Sequence, residues 1–386
     1  MNKILATIKK ISSAKLYFFK PKKVDILIWG VPLFIEILKE KKYNLDFRKI
    51  GFIHIWGESY NLNILLRCII KFKFSFLEYT NEYIKHTRPK IILSFLDNYK
   101  SFYKIKKNEN QNKILIQNAW RSDEFNIFKK DKSNFKYKVD FIFAQNEAIK
   151  KKFYEISKAK VIPIGSFLSN DIEIKKNKKK FDVLYVSTFR NTENKNKTIN
   201  KNIKLQDYIK SEANLIKNIN NLCKKYNKKL YILTTQKIYQ QEEEFNFFKK
   251  LLGKEKNCVF IKRNSYDYKS AYKIVDQAKV AIGIDTTLLY ESFSRGIKTI
   301  FCDVRPTNKS LEKRRHFAWP KKYPKNGPFW LSDNKYSAID KVFKNVLKIN
   351  DYKWKKIVLR YQKNLMLYNK NNSKFIEVIE KILKKN

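Results

Sequence analysis

The segment from Val280 to Asp303, VAIGIDTTLLYESFSRGIKTIFCD, constrains the fold of this chain more than any other. An apolar run of strand length is followed by the capping sequence Asp285-Thr286-Thr287, a helix with one apolar face, and a second apolar strand. Such a unit places a helix N-terminus, with free N–H groups and a positive dipole, at the carboxyl end of a parallel strand, where phosphate groups commonly bind. We therefore predict a nucleotide site, with Glu291 one turn into the helix as acceptor for sugar hydroxyls. An ordinary capped helix with its glutamate in solvent explains the segment equally well.

Strands alternate with helices along the whole chain, which predicts an α/β fold of two Rossmann-like domains with mostly parallel sheets, facing each other across a cleft. We place the first domain at residues 1–170 and the second at 181–350. A lysine-rich stretch at 174–180 without apolar pattern is the predicted linker, and residues 351–386 are predicted to be C-terminal helices.

The chain carries 84 Lys plus Arg against 36 Asp plus Glu, a formal net charge of +48. Such a charge usually suggests nucleic acid or an anionic membrane as a partner. The lysines, however, are spread over the whole chain without interleaved aromatic motifs, so no specific nucleic-acid partner is predicted. Arginines that persist against this bias towards lysine are candidates for binding phosphate or carboxylate, because the guanidinium fork suits both. They are Arg121, Arg190, Arg263 and Arg295.

The cysteines and histidines predict neither disulfides nor a metal site. The four cysteines show no paired spacing, and the three histidines have no metal-ligand spacing with them, which indicates free thiols in a reducing cytoplasm. No apolar run of 18 residues and no signal peptide is present, so we predict a soluble cytoplasmic protein. The basic segment 1–23 could form an amphipathic helix in peripheral contact with an anionic membrane. We favour the alternative, a helix or extended arm packed on the first domain.

Five ordered motifs give the chain a family resemblance. They are GESYNLNILLRC at 57–68, FLDNYKSFYKI at 95–105, ILIQNAWRSDE at 114–124, PIGSFLSN at 163–170 and NGPFW at 326–330. Their order and spacing resemble a bacterial family of surface carbohydrate biosynthesis proteins, and the 280–303 segment resembles the donor half-site of two-Rossmann (GT-B) glycosyltransferases. The resemblance covers nearly the whole chain and implies a GT-B fold in surface polysaccharide or lipopolysaccharide assembly. In that fold the last helix commonly packs back on the first domain, and the helix from Asn372 to Lys384 is placed to do so.

Loops that follow the strands of the first half carry polar residues at the edge where open α/β sheets bind ligands. Sugar transfer needs a general base for the acceptor hydroxyl, and we predict Glu58 for this role with Asp97 as the alternative. Each loop residue also has a structural explanation as a helix cap or turn residue. The predicted acceptor-binding residues are Gly30, Asn98, Gln117, Asn118 and Arg121.

Loops of the second half supply the predicted donor site, in which cations and N–H groups stabilise a leaving diphosphate without metal or cofactor. The predicted donor-binding residues are Ser187, Arg190, Arg263, Asp285, Thr286, Thr287 and Glu291. No GxGxxG loop follows either opening strand, which disfavours a dinucleotide oxidoreductase.

The sequence therefore predicts a glycosyltransferase that moves a sugar from a nucleotide-activated donor to a carbohydrate or lipid-linked acceptor. Two alternatives stay open. One is a transferase of similar architecture that moves an alcohol phosphate from a cytidine diphosphate donor. The other is a non-catalytic protein that binds anions through its positive charge.

Overall fold

The computed structural model describes residues 13–384 apart from 32, 41–42, 44, 47–48, 56–57, 122–127, 129–136, 175–177, 190–197, 201–202, 235–240, 254–256, 265–266, 285 and 307–315. Within these residues the chain forms two six-stranded sheets in which every neighbouring pair of strands is parallel. This arrangement confirms the predicted fold class of two Rossmann-like domains.

The first domain is built on one of these sheets. Its strands are β1 (Lys15–Tyr17), β2 (Ile26–Gly30), β3 (Ile50–His54), β4 (Ser59–Asn61), β5 (Ile91–Ser94), β6 (Asn112–Ile116), β7 (Phe141–Ala144) and β8 (Lys160–Pro163). The six-stranded sheet has the order β3-β2-β5-β6-β7-β8, and β1 pairs with β4 separately. Its helices are α1 (Leu33–Leu38), α2 (Leu62–Ile70), α3 (Phe76–Thr87), α4 (Lys100–Lys104), α5 (Glu147–Ile156) and α6 (Phe167–Asp171). Along β2, Ile26 and Ile28 lie in one hydrophobic cluster and Leu27 and Trp29 in another, so both faces of the sheet are covered.

The second domain repeats this plan. Its strands are β9 (Phe181–Val186), β10 (Thr198–Asn200), β11 (Ile203–Lys204), β12 (Leu230–Leu233), β13 (Cys258–Ile261), β14 (Ala278–Gly283), β15 (Lys298–Cys302) and β16 (Trp330–Leu331). The sheet has the order β13-β12-β9-β14-β15-β16, while β10 and β11 form a separate antiparallel pair. Its helices are α7 (Leu205–Lys225), α8 (Gln241–Leu252), α9 (Ser270–Val275), α10 (Thr287–Ser294), α11 (Tyr336–Lys348) and α12 (Asp351–Tyr361). The sheets lie on either side of the predicted linker, and the exact domain limits stay a prediction.

The N-terminal arm is extended where it is described. Residues 15–17 form β1 and pair in parallel with β4, and the side-chain amides of Asn61 and Asn63 donate hydrogen bonds to the carbonyls of Phe19 and Phe18. The favoured alternative, an arm packed on the first domain, therefore agrees with the structure for residues 15–19. An amphipathic membrane helix does not fit residues 15–17, and residues 1–12 lie outside the described part of the chain.

The C-terminal segment returns to the first domain. After α12 the chain runs beside β7 and β8, where Leu367 N–H donates to the carbonyl of Gln145 at 3.1 Å and Tyr368 forms a β-bridge with Gly165. A short 3₁₀ turn at Lys370–Asn372 leads into α13 (Ser373–Lys384). The apolar face of α13, Phe375, Ile379 and Ile382, lies in the same hydrophobic cluster as β2 and β5 of the first sheet.

Gly165 holds this return segment close to the first domain. Its φ of +88° lies in the left-handed region, and a Cβ there would clash with the carbonyl oxygen of Leu367. Gly253 also has a positive φ, +69°, but no heavy atom lies within 4 Å of its Cβ position. Substitutions at the two glycines therefore distinguish the cost of backbone strain from the cost of a steric clash.

We predict that Gly165→Ala destabilises the protein by about 2–5 kcal/mol, because conformational strain and a backbone clash add. Gly253→Ala should cost only about 1–2 kcal/mol, the strain alone. Urea unfolding of both variants measures the two costs. Equal losses would show that the contact between Gly165 and Leu367 contributes nothing.

Candidate functional site

A cavity of about 340 Å³ lies between the two domains, at the carboxyl ends of the strands of both sheets. The first domain lines it with Asn118, which follows β6, and Leu168 of α6. The second domain lines it with Arg263, Asn264, Asp267, Tyr268, Ala271, Tyr272, Thr287, Leu288 and Glu291. The cavity therefore joins predicted donor-site residues to one predicted acceptor residue. A larger cavity, of about 710 Å³, lies at the opposite edge of the second sheet. It is lined by Arg295, but by none of the predicted donor- or acceptor-binding residues that the structure describes.

The N-terminus of α10 forms one wall of the cavity between the domains. Thr286 is its N-cap, and the Thr286 hydroxyl accepts a hydrogen bond from Leu289 N–H at 3.2 Å. The Thr287 hydroxyl accepts the backbone N–H of Trp120 from the first domain at 3.1 Å. Among the described residues, the backbone N–H groups of Thr287 and Leu288 have no hydrogen-bond acceptor. They leave a partial positive charge at the cavity, as expected of a helix N-terminus. The predicted residue Asp285 lies outside the described residues.

Glu291 is buried between the domains. Only 4% of the residue is exposed, and its Oε1 accepts hydrogen bonds from the hydroxyl of Ser166 in the first domain and from that of Tyr272, at 3.0 Å, in the second. Burial raises the pKa of Glu291 to about 7, although these hydrogen bonds and the charge of Arg295 act in the opposite direction. The alternative of a glutamate in solvent is therefore wrong. No hydrogen-bond donor to Oε2 is found in the described part of the chain.

Of the other predicted donor residues, Arg263 lies at the site. It follows β13 and lines the cavity, and burial lowers the pKa of its guanidinium from the ordinary value. Ser187 is fully buried, and its hydroxyl accepts a hydrogen bond from Phe189 N–H at 3.0 Å, which is the geometry of a turn residue. Arg190 lies outside the described residues.

Three predicted residues of the first domain form one polar network. The guanidinium of Arg121 donates to both carboxylate oxygens of Asp97, at 2.7 and 2.5 Å, and to the side-chain oxygen of Asn118 at 2.7 Å. Burial lowers the pKa of Arg121, but the charge of Asp97, its hydrogen bonds and the nearby Tyr103 together outweigh burial, so the net pKa is raised. Asp97 is fully buried, so its carboxylate holds Arg121 and Asn118 in place at the edge of the cleft.

The remaining acceptor-side residues are spread along the rim. Gln117 is fully buried, and its side chain bonds the backbone N–H of Gln145 at 3.0 Å and the Ala119 carbonyl at 3.0 Å, which joins the loops after β6 and β7. Gly30 is the last residue of β2, and Asn98 is exposed after β5. None of these three lines the cavity.

Glu58 follows β3, the edge strand of the first sheet, and is separated from the loop after β6 by the ends of two strands. Its side chain is 51% exposed, and Oε2 lies 2.9 Å from Nδ1 of His54, the last residue of β3. Three strand spacings of about 4.8 Å separate β3 from β6, so the ends of these strands lie about 14 Å apart. His54 was not among the predicted site residues. It lies four residues before Glu58, near the end of a predicted strand, and this spacing could have indicated the contact.

The sequence also gave no reason to select Ser166, Tyr272 or Trp120. Ser166 and Tyr272 hold the carboxylate of Glu291, and the indole of Trp120 stacks on the ring of Tyr290 at 3.8 Å with an interplanar angle of 8°. Among the described residues, no group of three or more His, Cys, Asp or Glu could hold a metal ion. No helix in this part of the chain is long and apolar enough to cross a membrane.

Two parallel-sheet domains with their strand ends at a shared cleft define a protein with a GT-B-like fold. A family described as "putative O-antigen biosynthesis protein" matches residues 114–383, and this chain belongs to it. Among solved structures, UDP-GlcNAc 2-epimerase from Methanocaldococcus jannaschii is similar with a TM-score of 0.52 and 15% identity over 94% of this chain and 99% of that chain. The wall teichoic acid polymerase TagF is similar with a TM-score of 0.51 and 12% identity over 100% and 97%. A search of curated proteins finds no significant match. At these identities the structural similarities show the fold alone.

The raised pKa of Glu291 predicts a pH-dependent stability. Between its ordinary pKa of 4.5 and its folded pKa of about 7, the native state holds a proton that the unfolded state has released. The free energy of unfolding therefore falls as the pH rises through this range, by up to about 3 kcal/mol from this group. Glu291→Gln removes the titration, so its stability relative to the wild type should increase between pH 4.5 and 8. Urea unfolding across this range measures the difference. The exposed Glu242→Gln is the control, and a constant difference for Glu291→Gln would contradict the burial argument.

Proposed function

We propose that this protein is a glycosyltransferase of surface polysaccharide synthesis, which moves a sugar from a nucleotide-activated donor to a carbohydrate or lipid-linked acceptor. The observation that carries the proposal is the cavity between the domains, where the α10 N-terminus, Arg263 and the buried carboxylate of Glu291 converge. Membership of an O-antigen biosynthesis family supports the pathway. A cavity of about 340 Å³ is at the low end of the usual range for ligand sites, so a nucleotide sugar would extend from it along the cleft.

In this proposal the donor's diphosphate binds the N–H groups of Thr287 and Leu288 and the guanidinium of Arg263. These groups are fixed before the reaction and stabilise the negative charge that develops on the leaving nucleoside diphosphate, without a metal ion or cofactor. The Oε2 atom of Glu291 accepts a hydrogen bond from a ribose or sugar hydroxyl, while Ser166 and Tyr272 hold Oε1. Arg190 and Asp285, which lie outside the described residues, stay predicted donor-binding residues.

On the acceptor side, Asn118 and Arg121 would contact the acceptor, with Asp97 holding them in place. For the general base we propose Glu58 together with His54, because the carboxylate orients the imidazole and both oxygens of Asp97 are bound to Arg121. The separation of about 14 Å between the ends of β3 and β6 requires the donor sugar to extend towards the β3 side of the cleft.

Donor binding can be tested without knowing the acceptor. In thermal-shift measurements against UDP-, GDP-, CMP- and CDP-linked donors, the correct class should stabilise the protein by about 2.7 kcal/mol at 100 times its dissociation constant. Glu291→Gln and Arg263→Gln should each weaken binding of that donor about tenfold or more, because each removes a charge-assisted hydrogen bond. Arg360→Gln, an exposed arginine on α12, is the matched control.

The identity of the binding donor decides between the candidate functions. Stabilisation only by a CDP-linked alcohol would favour alcohol-phosphate transfer, and no stabilisation by any donor would reject the nucleotide-sugar proposal. Unchanged affinity in folded Glu291→Gln and Arg263→Gln proteins would move the diphosphate away from α10.

The base is tested by Glu58→Gln, which keeps the size of the side chain and removes its basicity. We expect sugar transfer to fall about 10²–10⁴-fold while donor binding is retained. His54→Gln should cause a similar loss if the two residues act as a pair. Transfer is followed as release of the nucleoside diphosphate in the presence of a lipid-linked saccharide extract. Native rates in both variants would exclude the pair, and a loss confined to Asp97→Asn would assign the role to Asp97.

A further inference from the structure

The first domain carries an exposed apolar surface at α2 and the loop after it, beside the N-terminal arm. The side-chain amides of Asn61 and Asn63, at the start of α2, bind the arm through the carbonyls of Phe19 and Phe18. Eight of the fourteen large apolar side chains that are exposed among the described residues belong to this surface. We call it the apolar patch, and it consists of Tyr17, Phe18, Phe19, Leu66, Ile69, Ile70, Phe72 and Phe74.

The exposed residue Phe72 has an unfavourable backbone conformation. Its φ of +52° lies in the left-handed region that ends many helices and favours glycine, and its N–H bonds the carbonyl of Ile69 at 2.9 Å to end α2. A bulky side chain in this conformation costs about 1–2 kcal/mol. The ring gains no burial in return, because 84% of the residue is exposed. Strain of this kind, kept without a packing benefit, points to a role for the ring outside the folded chain.

The surface around the apolar patch is strongly basic. Residues 13–23 and 62–88 contain nine Lys and Arg and two acids, which gives 9 − 2 = +7. The two acids already pair with lysines, Glu82 with Lys71 at 2.6 Å and Glu78 with Lys73 at 3.2 Å. Burial lowers the pKa of His86, and the charges of Arg67 and Lys20 lower it further, so both cations lie close enough to His86 to act on it. An apolar surface surrounded by cations is complementary to a surface that carries anionic groups above an apolar interior.

The apolar patch lies on the same side of the domain as the cleft. Phe76, two residues after Phe74, packs against Trp29 with ring centroids 6.5 Å apart, and Trp29 is one residue from the carboxyl end of β2. Trp29 also contacts Tyr99, which follows β5. The loop that carries Phe72 and Phe74 therefore ends, at Phe76, near the edge of the sheet where Asn118 and Arg121 lie.

We propose that the apolar patch docks on the surface of an anionic phospholipid bilayer, with Phe72, Phe74 and Ile70 entering the boundary between headgroups and acyl chains. The surrounding Lys and Arg side chains bind the lipid phosphates. Interfacial docking of this kind combines apolar burial with attraction to anionic lipid. It presents the acceptor edge of the first domain to the membrane. This last consequence rests on the proposed function, whereas the docking itself does not.

The test is cosedimentation of the full-length chain with vesicles of phosphatidylcholine alone and with 30% phosphatidylglycerol. Binding to anionic vesicles should fall at least about tenfold in the double variant Phe72→Gly and Phe74→Ser, which loses two inserting rings. Because glycine suits the backbone at position 72, the Phe72→Gly single variant should unfold at the same urea concentration as the wild type or a higher one. If the Phe72→Gly single variant also binds vesicles less well, a folding defect does not explain the loss.

Charge alone attracts this protein to anionic vesicles, so a control of equal apolar loss is needed. Tyr352→Ser with Leu359→Ser removes two exposed apolar side chains from α12 and should bind vesicles as the wild type does. Equal binding by the patch variant and this control would overturn the proposal. So would a wild-type dimer that the patch variants dissociate, because a second copy would then cover the patch. Vesicle binding is measured without donor, so failure of the sugar-transfer proposal leaves this result unaffected.

Discussion

One buried guanidinium joins the two domains. Arg295, at the end of α10, is 4% exposed and forms a two-point ion pair with Asp276 at 2.8 and 2.5 Å. Its third nitrogen donates to the carbonyls of Ser169, in α6 of the first domain, and of Ile172, directly after α6, at 2.9 and 3.0 Å. Lysine could not make these bonds, because it has one nitrogen on a flexible stem. The sequence bias towards lysine makes the retention of arginine here informative. Without the guanidinium, Asp276 would be a buried charge without its partner, a loss of about 3–5 kcal/mol in comparable pairs.

The contacts of Arg295 determine where the candidate site can form. Arg295 holds the C-terminal end of α10 against α6, and Glu291, one turn earlier, binds Ser166 at the N-terminal end of α6. The two contacts fix α10 along α6, so the N-terminus of α10 must point into the cleft beside Asn118. A carboxylate that bridges two domains is sensitive to its own ionisation, since burial raises its pKa to about 7. In the proposed function a donor hydroxyl on Oε2 would favour the ionised form, so donor binding and domain contact would be coupled through one side chain.

Sequence patterns predicted the repeated part of the structure well. Apolar runs such as those of β14 and β15 are buried on both faces, and a run of this kind leaves little choice of fold. The position of Glu291 followed from helical periodicity, but its burial did not, because Ser166 and Tyr272 are 125 and 19 residues away. Gln117 shows the opposite limit. As a polar residue at a strand end it resembles a ligand-binding residue, yet the neighbouring loop takes up its hydrogen bonds. Partners from distant segments decide such cases, and periodicity contains no information about them.

The net charge is a further property whose meaning the sequence alone does not determine. Spread over 386 residues, +48 indicates no particular partner, and lysine next to glutamate is an ordinary surface pattern. What distinguishes the border of the apolar patch is that the two acids of residues 13–23 and 62–88 each pair with a lysine, Lys71 or Lys73, while exposed aromatic rings lie beside the remaining cations. Coulomb attraction alone is screened within about 8–10 Å at physiological salt, whereas apolar insertion is not. The proposed docking surface combines both, so we expect it to bind a membrane at salt concentrations where evenly spread lysines would release it.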